Sequence, residues 1–205
     1  DFTGLELQPS LRGVLKLAEH HTLWAAASRA VRTPSEVEGL VVGEIPYGAP
    51  FVGPGGFSYV PTLVGNPNAA AEVLWAYEIG YRFHPDKRVT TELNVFYNDY
   101  DRLITVGPIS QYIPGAPGRA EILFDNYDHG STYGGEAALT IAVTESWRLT
   151  ASYALLVASL HSAANTDPEG TEDGSPRNQF MLRSAYDFSP ALSLDVQCRY
   201  VDTTR

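Results

Sequence analysis

Hydrophobic and polar residues alternate along much of this chain, and one stretch sets the pattern. In Val89–Val106, VTTELNVFYNDYDRLITV, the positions Val89, Thr91, Leu93, Val95 and Tyr97 share one side of an extended strand, and Thr90, Glu92, Asn94, Phe96 and Asn98 share the other. Successive strand side chains point to opposite faces, so one face is apolar and one mostly polar. The run is longer than the five or six residues typical of a soluble strand. It suits a tilted strand that crosses a bilayer and continues beyond it. The same alternation predicts strands at Ser10–Ala18, Thr22–Arg32, Val73–Phe83, about Ile122–Val143, Arg148–Ser159, Asn178–Phe188 and Leu192–Asp202.

The connections alternate too. Tight turns fall at Glu19-His20-His21, His84–Lys87, Thr144–Trp147 and Ser189–Ala191. Long ones fall at 33–72, at a Gly/Pro loop from Gly107 to Gly118, and at the acidic His161–Arg177. Residues 33–72, rich in Pro and Gly, read as irregular throughout. Short turns at one end and long loops at the other are expected of outer-membrane barrels. The predicted fold is therefore all-β: an antiparallel up-and-down transmembrane β-barrel segment of about eight strands, its turns at one end and its loops at the other.

Charge supports that direction. The polar faces carry Arg12, Lys16, Glu78, Arg82, Glu92, Glu136, Arg183, Asp195 and Arg199, which suits a wet or protein-filled lumen better than a dry core. Aromatics recur near strand ends at Phe83, Tyr97, Tyr100, Trp147, Tyr186, Phe188 and Tyr200, as at a membrane–water boundary. The alternative is a soluble ligand-binding β-barrel or sandwich with its apolar face inside. The two differ in which face meets a sealed centre.

Composition narrows the classes. At 44% hydrophobic the chain is not a disordered polar one, and a formal charge of −10 argues against a nucleic-acid partner. Cys198 is the single cysteine, so no internal disulfide forms. No apolar run reaches the roughly 18–20 residues of a membrane helix. The N-terminal DFTGLELQPS lacks Met, a basic region and an apolar region, so it reads as the interior of a longer protein without a signal peptide.

Catalytic and metal signals are weak. His20, His21, His84, His129 and His161 show no zinc-ligand spacing. Asp128, His129 and Ser131 hold the residue types of a hydrolytic triad, but no strand-to-helix nucleophile elbow accompanies them. No enzyme, metal or cofactor is expected. The carboxylates of Asp167–Ser175 miss the calcium-loop order and read as a solvated loop, with an opportunistic divalent cation as the alternative. Gly53-Pro54-Gly55-Gly56 has neither the Lys nor the helix of a phosphate cradle.

Four stretches, in order, resemble the C-terminal barrel portion of TonB-dependent outer-membrane receptors. They are His21–Ser35 (HTLWAAASRAVRTPS), Asn66-Pro67 with Tyr77-Glu78-Ile79-Gly80-Tyr81, Val95–Asp101 (VFYNDYD), and Asn126-Tyr127 through Gly135-Glu136. The resemblance covers nearly the whole chain, 1–205, as a partial barrel domain. It implies a Gram-negative outer-membrane protein whose barrel has about 22 strands around an N-terminal plug. Such receptors take up a scarce ligand, most often a ferric siderophore or similar metal chelate, with energy from a TonB-type protein acting through the plug. Outer-membrane lipid is the other partner implied. This chain departs from the pattern: it has about eight strands, no plug, no energy-coupling box and no terminal aromatic strand end, so a segment or a truncated gene product is expected. A small outer-membrane barrel with a structural or adhesion role is the alternative.

Arg29 and Arg32 could attract an anionic chelate, although lumen arginines more often pair with neighbouring carboxylates. Tyr47, Phe51, Phe57, Tyr59 and Tyr112 are the better ligand candidates, because loops carry binding residues and aromatics supply stiff contact area. The alternative is that they pack the loops against one another.

Overall fold

The computed structural model describes residues 4–40, 45–163 and 174–203. Eight long strands form an antiparallel meander in which each pairs with the next: β1 (Ser10–Ala18), β2 (His21–Arg32), β6 (Glu72–Phe83), β7 (Val89–Ile113), β8 (Gly118–Ala142), β9 (Trp147–Ser162), β10 (Asn178–Ser189) and β11 (Leu192–Val201). Among the described residues β1 pairs only with β2 and β11 only with β10, so the sheet is open.

The register shows what the alternation accomplishes. One row runs edge to edge through Leu15, Leu23, Tyr81, Leu93, Ala137, Tyr153, Phe180 and Tyr200. The adjacent row, one residue along every strand, is Lys16, Thr22, Arg82, Glu92, Ala138, Ser152, Met181 and Arg199. A one-residue step flips every side chain to the other face, so the sheet has an apolar side and a polar side. The apolar side is not a core: Ile79 is 53% and Val95 56% exposed. The polar side carries an open hollow of about 390 Å³ lined by charged and amide side chains. This is opposite to the soluble-barrel alternative. Tyr133 to Ile141 spans eight steps of β8 on the apolar side; at about 3.3 Å per residue and the tilt near 40° usual in such barrels, that is roughly 20 Å of height, most of a barrel's lipid-facing band.

Two expectations about the loops need correction. Residues 33–72 are not irregular throughout. They hold α1 (Glu36–Leu40), β3 (Ile45–Pro46), β4 (Phe51–Val52), a 3-10 turn (Pro54–Gly56) and β5 (Ser58–Val64). The expected antiparallel meander of eight strands stands, and β5 joins it alongside, parallel to β8 from Tyr59↔Gly118 to Val64↔Leu123. The Gly107–Gly118 segment is mostly strand, and its tip, 114–117, is tight. Pro108 is accommodated there because the β7–β8 register shifts between Val106 and Ile109, and a bulge needs no ladder donor from it.

The buried apolar residues sit under this loop module: Tyr59, Leu63, Ala69, Ala71, Val73, Ala120 and Ile122. The compact packing of the chain lies at the loop end, not between the strands of the wall.

Candidate functional site

The loop module is held to the wall by side chains from four elements. Pro34 ends β2, and Ser35-Glu36-Val37-Glu38 then starts α1 as a capping box. Ser35 N–H donates to Glu38 Oε2 at 2.8 Å, and Glu38 N–H donates to Ser35 Oγ at 3.3 Å. The box aims the Glu38 carboxylate at Arg32 on the end of β2. Arg32 donates to Glu38 through Nη1 at 2.9 Å and Nη2 at 3.0 Å, and to Glu72 at the start of β6 through Nε at 2.6 Å. Glu72 Oε1 also accepts from the backbone N–H of Ile104 on β7 at 2.8 Å. The Arg32 fork beside it holds the Glu38 carboxyl at about 2, below its usual 4.5, and the two carboxylates push the guanidinium the other way.

Asn126 of β8 is a second tether. Its Oδ1 accepts from Ala70 N–H at 2.7 Å, and its Nδ2 donates to Ala70 C=O at 3.0 Å and Arg102 C=O at 2.6 Å. Arg102 has φ 59°, left-handed for a non-glycine residue. It sits where the β7–β8 register skips from Tyr100 to Leu103, and Asn126 satisfies its carbonyl. Asn66, itself buried, turns the chain by accepting from Asn68 N–H at 3.0 Å while its own N–H donates to the Glu38 carbonyl at 2.8 Å.

The aromatic candidates divide. Phe51, Tyr59 and Tyr112 meet in one cluster, with ring centroids 6.3 Å (Phe51–Tyr59), 6.4 Å (Phe51–Tyr112) and 5.0 Å (Tyr59–Tyr112) apart. Tyr59 is 3% exposed and serves as the packing centre. Its ring lies so close to Gly118 that a Cβ there would come within 2.8 Å of it. Tyr47 and Phe57 stand clear, and Tyr112 keeps an exposed edge. Gly55 turns the chain before Phe57 with φ 74°.

Arg29 and Arg32 do not converge. Arg32 is on the polar side; Arg29, opposite Trp75 in the register, is on the apolar side, so it is not a lumen arginine. It is tied to Glu6 at 2.9 Å and to the Leu7 carbonyl, beyond the tyrosine row Tyr77–Tyr97–Tyr133.

On the polar side, the hollow is lined by Glu92, Asn94, Glu136, Ser152, Gln179 and Arg199. Cations of the polar side, in the hollow and beside it, are matched by neighbours on adjacent strands: Arg82 with Glu92 at 2.8 Å, Arg183 with Asp195, and Arg199 with Gln179 at 2.7 Å. Arg12 stands 5.4 Å from the Trp24 ring, close enough for a cation–π contact. Of the acidic stretch Asp167–Ser175, residues 167–173 lie outside the described residues.

The sequence reading missed Glu38, Glu72 and Asn126 as tethers. The Ser-x-x-Glu spacing after β2 is a signal for the first; the others act through separations of 40 residues (Arg32–Glu72) and 56 residues (Ala70–Asn126).

Residues 1–205 match the family described as TonB dependent receptor-like, beta-barrel. In sequence, the chain is 30% identical over 95 residues to the iron-regulated outer membrane virulence protein of Vibrio cholerae, covering 44% of this chain and 15% of that protein. In structure, it resembles the siderophore receptor PirA of Acinetobacter baumannii, with TM-score 0.76 and 18% identity over 97% of this chain and 29% of that one. It also resembles a mutant ferric enterobactin receptor of Pseudomonas aeruginosa in complex with enterobactin, with TM-score 0.76 and 21% identity over 95% of this chain and 28% of that one. The chain thus spans less than a third of the length of these relatives.

Proposed function

The chain belongs to the TonB-dependent receptor-like β-barrel family, and from that premise we propose that it is one wall, with one docked loop module, of a Gram-negative outer-membrane receptor. The receptor takes up a scarce ligand, a ferric siderophore or similar metal chelate, and draws energy from a TonB-type protein through a plug. Its role is transport, not catalysis. The observation that carries this reading is the pair of adjacent rows across all eight wall strands, one apolar and one polar. Such a wall separates lipid from an enclosed polar space.

In this reading Tyr47, Phe57 and the open edge of Tyr112 meet the ligand, while Phe51 and Tyr59 hold those rings in place. Arg29 and Arg32 position the backbone at the wall's upper rim, because their forks are already taken by Glu6, Glu38 and Glu72. The test is uptake of radio-iron supplied as a panel of ferric chelates, in cells with and without the gene that encodes the chain. Gene-dependent, energy-dependent accumulation of one chelate is expected, reduced when Tyr47 and Phe57 are both changed to Ala. Equal accumulation of every chelate in both strains would sink the proposal.

A further inference from the structure

His129 and His161 are 32 positions apart in the chain, yet the β8–β9 register sets them directly opposite each other. Both are exposed. Their ring centroids are 5.6 Å apart and the rings are inclined at 55°. An ion held by two imidazoles at about 2.0–2.1 Å per nitrogen would set the centroids roughly 5.2 Å apart in a tetrahedron and roughly 4.5 Å apart at neighbouring corners of a square plane, so rotation of the two side chains brings both rings within reach of one ion. The strands need not move, and the ladder on either side, Gly130↔Leu160 and Asp128↔Ser162, fixes the spacing.

We propose that His129 and His161 form a cross-strand chelate for a divalent transition ion, with Cu²⁺ bound most tightly of the first-row series. No cluster of three or more His, Cys, Asp or Glu able to hold a metal occurs among the described residues, so the proposal rests on the two imidazoles alone. The pair lies on the apolar side of the sheet, four residues beyond the Tyr133↔Val157 position. That is about 13 Å along the strand and roughly 10 Å in height, clear of the lipid band. The site faces away from the polar hollow, so it is distinct from the uptake path. The chain's other histidine contact between neighbours, His20–His84, is unlike it. Those rings meet edge to face at 78° with centroids 5.8 Å apart, and the two residues come from the β1–β2 and β6–β7 turns instead of a ladder position.

The test is a Cu²⁺ titration of the intact detergent-solubilised protein that carries this chain, followed by calorimetry and electron paramagnetic resonance. Expected is one site whose spectrum shows two imidazole nitrogens. Either His129→Ala or His161→Ala weakens that site at least tenfold and removes the signal, while the His20→Ala/His84→Ala pair leaves it. An unchanged titration in the His129→Ala/His161→Ala double variant, or loss only in the His20/His84 variant, overturns the proposal. Should a variant fail to fold, the wild type decides the question by histidine modification with diethyl pyrocarbonate. Cu²⁺ should slow labelling of His129 and His161 and not of His20 and His84; equal protection of all four overturns the assignment.

Discussion

Changing Arg32 to Gln should loosen the loop module without disturbing the wall. The guanidinium binds two carboxylates at once, and Glu38 and Glu72 are only 16% and 14% exposed. A hydrogen bond to a charged group is worth about 1.5–3 kcal/mol when it is well shielded. The Arg32 side chain is 48% exposed, so water screens part of that, and about 2 kcal/mol for the whole fork is the reasonable figure. That corresponds to roughly a thirtyfold increase in transient opening of α1 and β5. Hydrogen exchange of the intact protein, read peptide by peptide, measures it. Amides of α1 and β5 should lose protection while β9–β11 keep theirs. Unchanged exchange in α1 and β5, or an equal loss through β9–β11, would refute the reasoning.

The same tether has an acid limb. Glu38 is held at about 2 against the usual 4.5, first by its hydrogen bonds from Arg32. A carboxyl depressed by folding contributes its stability above its unfolded value and loses it as pH falls through the folded one. Opening of α1 should therefore be flat from neutral pH down to about 4.5 and rise between 4.5 and 2. The contribution is about 1–2 kcal/mol after screening. Glu38→Gln should abolish the Glu38 share of that slope; a slope that persists undiminished in the variant would place its source elsewhere.

Three further outcomes follow from named contacts. Asn126→Ala removes three hydrogen bonds and should cost about 2–4 kcal/mol in local stability, seen as faster exchange at Ala70 and Arg102 with little change at β10. Gly118→Val drives a side chain into the Tyr59 ring and the Ile113 carbonyl, whose distances to a Cβ would be 2.8 and 2.9 Å. It should detach β5 from β8 at a cost of about 1–3 kcal/mol, read as increased exposure of Tyr59 to quenchers. Val95→Arg places a charge on the apolar side and should cost about 2–4 kcal/mol in vesicle-folding equilibria. Asn94→Arg, one residue away on the polar side, should cost much less, and equal costs would mean the faces are assigned wrongly.

The wall was legible in the sequence because it depends on a local rule. Period-two alternation located β1, β2, β6, β10 and β11 to within one residue, since every second residue meets the same environment whatever the neighbouring strand. The loop module was not, because its structure rests on contacts between distant segments. β5 contains Pro61 and β7 contains Pro108, and a proline argues against a strand when read alone. What overrides it is pairing with β8 in one case and a register shift in the other. The Ser35-x-x-Glu38 signal was present, but the Thr33-Pro34 break beside it accounts equally well for the end of β2. Of the aromatic candidates, composition could nominate all five and could not separate Tyr59, which is packed, from Tyr47 and Phe57, which are open. That division is decided by Gly118 and Tyr112, more than 50 residues away in the chain.

The two halves of the molecule are therefore held by different kinds of force, and this bears on the uptake role proposed above. Wall strands share continuous backbone ladders, and in lipid a broken ladder bond exposes polar groups with no water to receive them. The loop module is fastened by a short strand pairing and a handful of side-chain hydrogen bonds at the watery end, each worth about 1 kcal/mol net. A ligand that binds an altered loop arrangement better by a few kcal/mol can shift the loop population severalfold to a thousandfold. The same differential spent on the wall would not open one strand. In the receptor proposed above, movement on ligand binding should accordingly be confined to α1, β3–β5 and the β7–β8 tip, with Arg32 and Asn126 as the fixed points about which it turns.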